Sequence, residues 1–95
     1  MTEESTLIPN SYIDEYLPEL SCAELKVWLV VLRKTLGQPE IDDGISLSQL
    51  EKITGLTRHS VINGLKGLIE RGLIVQTRAA RGIRPASYKC VMPGD

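Results

Sequence analysis

Four stretches of this chain place apolar residues at helical spacing, and most of them are bracketed by residues that start or stop helices. From Pro9 to Tyr16 the pattern predicts a short amphipathic helix with Tyr12, Ile13, Tyr16 and Leu17 toward the core, stopped by Pro18. Ser21 and Glu24 then stand at the spacing where each side chain bonds the other's backbone N–H. The helix they open is expected to run to about Leu36, with Gly37 as a left-handed cap and Leu25, Trp28, Leu29, Leu32 and Leu36 as its core stripe. Val27 and Val31 lie well off that stripe. The expected cover for them is the N-terminal helix; the alternative is self-association with a second subunit.

Beyond a loop at 38–44, Ile45 is expected in a short strand, and Ser46 and Gln49 repeat the capping box. The helix that follows, Leu47–Thr54, should bury Leu47, Leu50 and Ile53 and end at Gly55. Thr57 caps a further helix from Arg58 to about Arg71, closed by Gly72, whose buried side is read as Val61, Ile62, Leu65, Leu68 and Ile69. Two β-like stretches near 73–78 and 86–92 flank a turn-rich tip at 79–85. The expected fold is mainly α with a small β-hairpin (α+β), a winged helix-turn-helix with an extra N-terminal helix. It should occupy residues 9–92, between flexible tails at 1–8 and 93–95.

Composition narrows the function classes. Ninety-five residues make one small domain; Phe is absent and aromatics are few, so the core is expected to rest on Leu, Ile and Val. Cys22 and Cys90 share no metal-like spacing with His59, the lone histidine, and read as free thiols of a reducing, cytoplasmic compartment. The longest apolar run, Val27 to Leu32, is far too short to cross a membrane, and no signal peptide is read. His59 has no nucleophile or carboxylate at a diagnostic spacing, no Gly-rich phosphate loop is present, and Asp42-Asp43 reads as solvated loop. An enzyme, a cofactor and a metal are therefore not expected.

The charge is near balance but unevenly placed. Residues 1–51 hold ten acidic side chains against three basic ones, and residues 52–95 hold eight basic against two acidic. That split predicts one acidic and one basic face, although chance clustering of solvated charge gives the same count. On the helix after Thr57 the side opposite the core carries His59, Asn63, Lys66, Gly67 and Glu70, and the first turn adds Thr57, Arg58 and Ser60. Arg and Lys donate to guanine or phosphate, Asn pairs with adenine, and Ser and Thr bond phosphate. The candidate DNA contacts on this helix are Thr57, Arg58, His59, Ser60, Asn63, Lys66 and Gly67. Gly64 is assigned to helix packing and Gly67 to close approach of the backbone to DNA. On the hairpin the candidates are Arg78, Arg81, Arg84 and Lys89, with Arg81, beside Gly82, reaching the minor groove and the others meeting phosphates. The blander reading of both sets is a solvated helix face and edge strands charged against aggregation.

The run Ile8-Pro9-Asn10, Leu20-Ser21, Glu24-Leu25-Lys26-Val27, Arg33-Lys34-Thr35-Leu36-Gly37, Ile45-Ser46-Leu47-Ser48-Gln49-Leu50 and Thr54-Gly55-Leu56-Thr57-Arg58, with Val61, resembles the N-terminal domain of phage replication protein O and related replisome organisers. The resemblance spans about residues 8–75. It implies a winged-helix fold and sequence-specific binding to repeated duplex sites at a phage or plasmid replication origin. It places the recognition helix on 57–71, with contacts at Arg58, His59, Asn63 and Lys66. Two departures stand out: Glu51 replaces the small residue usual in helix-turn-helix sequences, and the region that would recruit a helicase or its loader has no counterpart in these residues. The implied partners are double-stranded DNA, a second copy or a cooperative assembly on repeats, and other replication proteins; no membrane is implied. Two alternatives remain beside it. One is a transcriptional repressor on an operator. The other is a winged-helix protein-interaction or self-assembly module with weak DNA binding, for which the acidic half and the two valines speak.

Overall fold

Local side-chain chemistry fixes the start of each of the three α-helices among the described residues. A computed structural model describes residues 5–34 and 44–91. The expected continuation of the first long helix to Leu36, its cap at Gly37, most of the loop at 38–44 and Asp42-Asp43 lie outside the described residues, as do residues 1–4 of the first tail and the whole of the tail at 93–95. Helix α1, Cys22–Leu32, opens on the Ser21/Glu24 box: Glu24 N–H donates to Ser21 Oγ at 3.2 Å and Ser21 N–H to Glu24 Oε1 at 2.9 Å. Helix α2, Leu47–Thr54, repeats the device with Ser46 and Gln49 at 3.1 and 2.8 Å. Helix α3, Arg58–Glu70, starts at Thr57, whose hydroxyl accepts from Ser60 N–H at 3.2 Å. Gly55-Leu56-Thr57 is the whole connection between α2 and α3. The end of α3 is a Schellman turn: Leu73 N–H reaches back to Leu68 O and Gly72 N–H to Ile69 O, both at 3.0 Å, with Gly72 at φ 75°. That turn aims the chain directly into strand β1.

Strand β1, Ile74–Arg78, pairs antiparallel with β2, Ser87–Cys90, with Ile74 opposite Cys90 and Gln76 opposite Tyr88. The register shifts between Gln76 and Arg78, a bulge before the tip. The fold is thus mainly helical with a small two-stranded antiparallel sheet. Ile45 forms no strand, but its N–H donates to Ala86 O at 2.9 Å and ties the start of α2 to the hairpin. At the N-terminus a π-helical turn, Tyr12–Tyr16, runs into a 3-10 turn, Leu17–Glu19, so Pro18 lies within the helical path rather than ending it.

The core holds Val27, Trp28, Val31 and Leu32 of α1, Leu50 of α2, Val61, Leu65 and Leu68 of α3, and Leu73, Ile74 and Cys90 of the hairpin. It is less purely aliphatic than composition suggests. Tyr12, Tyr16 and Trp28 form one aromatic cluster, with Tyr12 and Trp28 centroids 5.0 Å apart. Tyr12 is fully buried and its hydroxyl donates to Val91 O at 2.7 Å, joining the N-terminal turn to the strand end.

Several expected faces are corrected. Val27 and Val31 are buried at 0 % and 2 %, while Leu29 is half exposed, so the valines offer no surface for self-association. Helix α3 packs over Val27, and the N-terminal turn sits on Trp28. Gly64 makes this possible: a Cβ there would lie 3.1 Å from both Ala23 O and Val27 Cγ2, so its packing role holds. Ile13, Ile53, Ile62 and Ile69 are exposed where burial was expected, and Thr54 is buried in α2. The Thr54 hydroxyl avoids an unpaired polar atom by donating to Leu50 O and accepting from Leu56 N–H at 3.2 Å.

Candidate nucleic-acid interface

The α2–turn–α3 unit leaves one side of α3 open. His59, Ile62, Asn63, Lys66, Ile69 and Glu70 are all exposed there, because the core takes Val61, Gly64, Leu65 and Leu68 from the other side. His59 and Asn63 lie one turn apart, with Asn63 Nδ2 3.1 Å from His59 Nε2. In the tautomer that leaves that nitrogen bare, Asn63 donates to it, a bond that does not use the Asn63 carbonyl oxygen or its second N–H. Those are the two groups that pair with an adenine edge. Thr57 and Ser60 are committed to the cap, with Thr57 Oγ1 also donating to Ser60 Oγ at 3.1 Å.

Arg58 does not stand alone. Its Nε donates to Glu51 Oε2 at 3.0 Å and its Nη2 to Ser48 Oγ at 2.8 Å, bridging α3 to the first turns of α2. The edge of the guanidinium that could pair side-on with guanine is occupied by Glu51. Glu51 thus points outward and is used, which explains how the motif tolerates it. A charge of opposite sign seven residues ahead of Arg58, across a three-residue turn, was the available signal for this pair.

Gly67 is a correction. It does not face outward: a Cβ there would run into the Glu24 carboxylate of α1, in a contact closer than van der Waals packing allows. Glu24 is 7 % exposed and accepts from Arg71 Nε at 2.8 Å, and Arg71 also nears Glu19 at 3.9 Å. Burial alone would raise the Glu24 pKa, but the Arg71 guanidinium and the Ser21 N–H and hydroxyl hold it below the usual carboxylate value. The same pair pushes the Arg71 pKa up. The pair anchors the C-terminal end of α3 to the N-terminal end of α1.

On the hairpin, Arg78 is also corrected. Its Nη2 donates to Pro85 O at 3.3 Å and packs against Gly44, so it braces the root of the tip rather than reaching outward. Arg81 and Arg84 are exposed and directly opposite each other, exchanging N–H···O bonds of 2.9 Å both ways. Like charges at opposed positions repel, and this turn keeps two. Lys89 is exposed too, but strand alternation puts it on the other face from Tyr88.

Tyr88 marks where the surfaces meet. One groove is lined by Leu47, Ser48, Arg58, Arg84 and Tyr88, and a second by Leu47, Ile62, Lys66, Ile69 and Tyr88. Sharing Leu47 and Tyr88, they form one valley from the hairpin tip to the open side of α3. Burial pushes the Tyr88 pKa up, so its phenol stays neutral in the valley floor. The structure therefore brings Arg58, Lys66 and Arg84 to one valley, with His59 and Asn63 on the adjoining helix face. It leaves Gly67, Arg78 and Lys89 out.

Among the described residues no group of three His, Cys, Asp or Glu could hold a metal, and no helix is long and apolar enough to cross a membrane. Cys22 is exposed and Cys90 buried, and neither is joined in a disulfide. Comparison with protein-family models, curated proteins and solved structures gives no match. The likeness to replication protein O therefore stands on the residues that carry it.

Proposed function

We propose that this chain is a winged-helix domain that binds duplex DNA sequence-specifically, with α3 in the major groove and the hairpin as the wing. The observation that carries the reading is the valley that joins Lys66 and Arg58 to Arg84, beside an exposed α3 face where Asn63 Nδ2 lies 3.1 Å from His59 Nε2. In this pose Asn63 reads a base edge, Lys66 meets a base or phosphate, and Arg81 and Arg84 contact the backbone or minor groove. The short Gly55-Leu56-Thr57 connection and the Glu24–Arg71 pair, one at each end of α3, hold that helix in place. The residues shared with replication protein O favour repeated sites at a replication origin as the target. An operator would use the same surface.

Selection of bound duplexes from a random pool tests the reading. Lys66→Ala should weaken binding to all selected duplexes and shallow the salt slope by about one. Asn63→Ala should erode discrimination at one position by about 1–3 kcal/mol. Recovery of no duplex above background at low salt refutes the proposal.

A further inference from the structure

Ile83 is fully exposed, at 105 % relative accessibility, on the apex of the hairpin. Single exposed apolar residues are common on surfaces. This one is presented by a closed turn. Arg81 and Arg84 bond each other's backbone in both directions, Gly82 takes φ 60°, and Gly82-Ile83 forms the two-residue apex. The root is clamped as well, by Ile45 N–H on Ala86 O at 2.9 Å and by Arg78 on Pro85 O at 3.3 Å. An apolar side chain is thus held at the tip between two arginines that repel each other in the free protein. A polyanion relieves that repulsion, and in duplex DNA the apolar surface beneath the phosphates is the base stack.

The geometry points to Ile83 as a wedge that enters the minor groove and partly unstacks one base step, with Arg81 and Arg84 on the flanking phosphates. The inference rests on the DNA-binding reading above and adds to it a deformed duplex as the ligand. Wedges of this type bend DNA toward the major groove, and the cost of unstacking is offset by the additional protein surface that the bend brings into contact. Pyrimidine–purine steps unstack most easily, so the site under the hairpin should carry a TA or CA/TG step.

The test uses the whole chain and a duplex recovered by selection, with 2-aminopurine placed at successive positions across the site. Wild type should raise the fluorescence at one pyrimidine–purine step and shorten the end-to-end distance measured by energy transfer between terminal dyes. Ile83→Ala should fold, because the residue makes no contribution to the core, and should lose both signals on duplex saturated with protein, whatever affinity it gives up; Ile83→Leu should keep them. Circular dichroism confirms that each variant is folded. Binding by wild type with no fluorescence rise, or an equal rise with Ile83→Ala, overturns the wedge and leaves DNA binding standing. Failure to retain any duplex overturns the DNA-binding reading, and the wedge with it.

Discussion

Gly67→Ala separates a packing glycine from one that serves a ligand. Alanine improves helix propensity by about 1 kcal/mol over glycine, so at an open helix position the change stabilises. Here the new methyl meets the Glu24 carboxylate, which has little room to yield: it is buried, bonded to Arg71 at 2.8 Å and bonded to Ser21 N–H at 2.9 Å. Moving it leaves a buried charged acceptor short of a partner, at about 1.5–3 kcal/mol for that carboxylate, and weakens the α1 cap by about 1 kcal/mol. After the propensity gain the net loss is about 1.5–3 kcal/mol, read as a drop in Tm of several degrees and a lower urea midpoint at unchanged slope. The decisive arm is the same change in a Glu24→Ala background. With the carboxylate gone the clash is gone, and Gly67→Ala should then stabilise, reversing sign. A stabilising effect in the wild-type background, or the same loss in both, would refute the account. Selective loss of DNA binding at unchanged stability would instead place Gly67 at the ligand.

Glu24 also sets an acid response. Its folded pKa lies below the ordinary carboxylate value of 4.5, so the stability it contributes is complete above that pH and is lost as pH falls through the lower folded value. Urea unfolding of wild type and Glu24→Gln should therefore differ at pH 7 and converge toward pH 3; a gap that widens on acidification refutes the pairing. Glu51→Ala should tighten binding to selected duplexes and steepen the salt slope by about one, because Arg58 becomes available to phosphate, while stability changes by less than about 1 kcal/mol. Weaker binding would mean that Glu51 holds Arg58 in its working pose.

What was legible in the sequence is what three or four consecutive residues decide. The caps at Ser21, Ser46 and Thr57 and the stops at Gly55 and Gly72 all stand, because each is a bond between near neighbours in the chain. Choosing the buried side of each helix was harder. Helix α1 reads CAELKVWLVVL, with so few polar positions that its period marks no clear outside. The choice fell to α3, which approaches over Val27 because Gly64 has no side chain. On α3 the period placed Val61, Leu65 and Leu68 correctly, but Ile62 and Ile69 lie at the edge of the apolar arc beside a groove and stay 44 % and 43 % exposed. Glu24–Arg71 spans 47 residues, and no local rule points to it. The same is true of Arg78, whose bulged strand turns it back onto Pro85.

The uneven charge along the chain takes on a different meaning once the partners are known. Read as a sequence, the acidic first half and basic second half predicted two opposed faces. In the structure, acids of the first half reach across to bases of the second: Glu24 and Glu19 to Arg71, and Glu51 to Arg58. Part of the split is therefore internal complementarity that fastens α3 to α1 and α2. Arg78 is likewise held by a backbone carbonyl. Of the bases proposed for DNA, Lys66, Arg81, Arg84 and Lys89 remain exposed without a carboxylate partner among the described residues, on α3, at the hairpin tip and on β2. Folding has thus sorted the bases by use, and of those it leaves unneutralised Lys66 and Arg84 line the two grooves that meet at Leu47 and Tyr88. The case for a polyanion rests on that remainder, since the gross charge of the second half includes bases already committed to the fold.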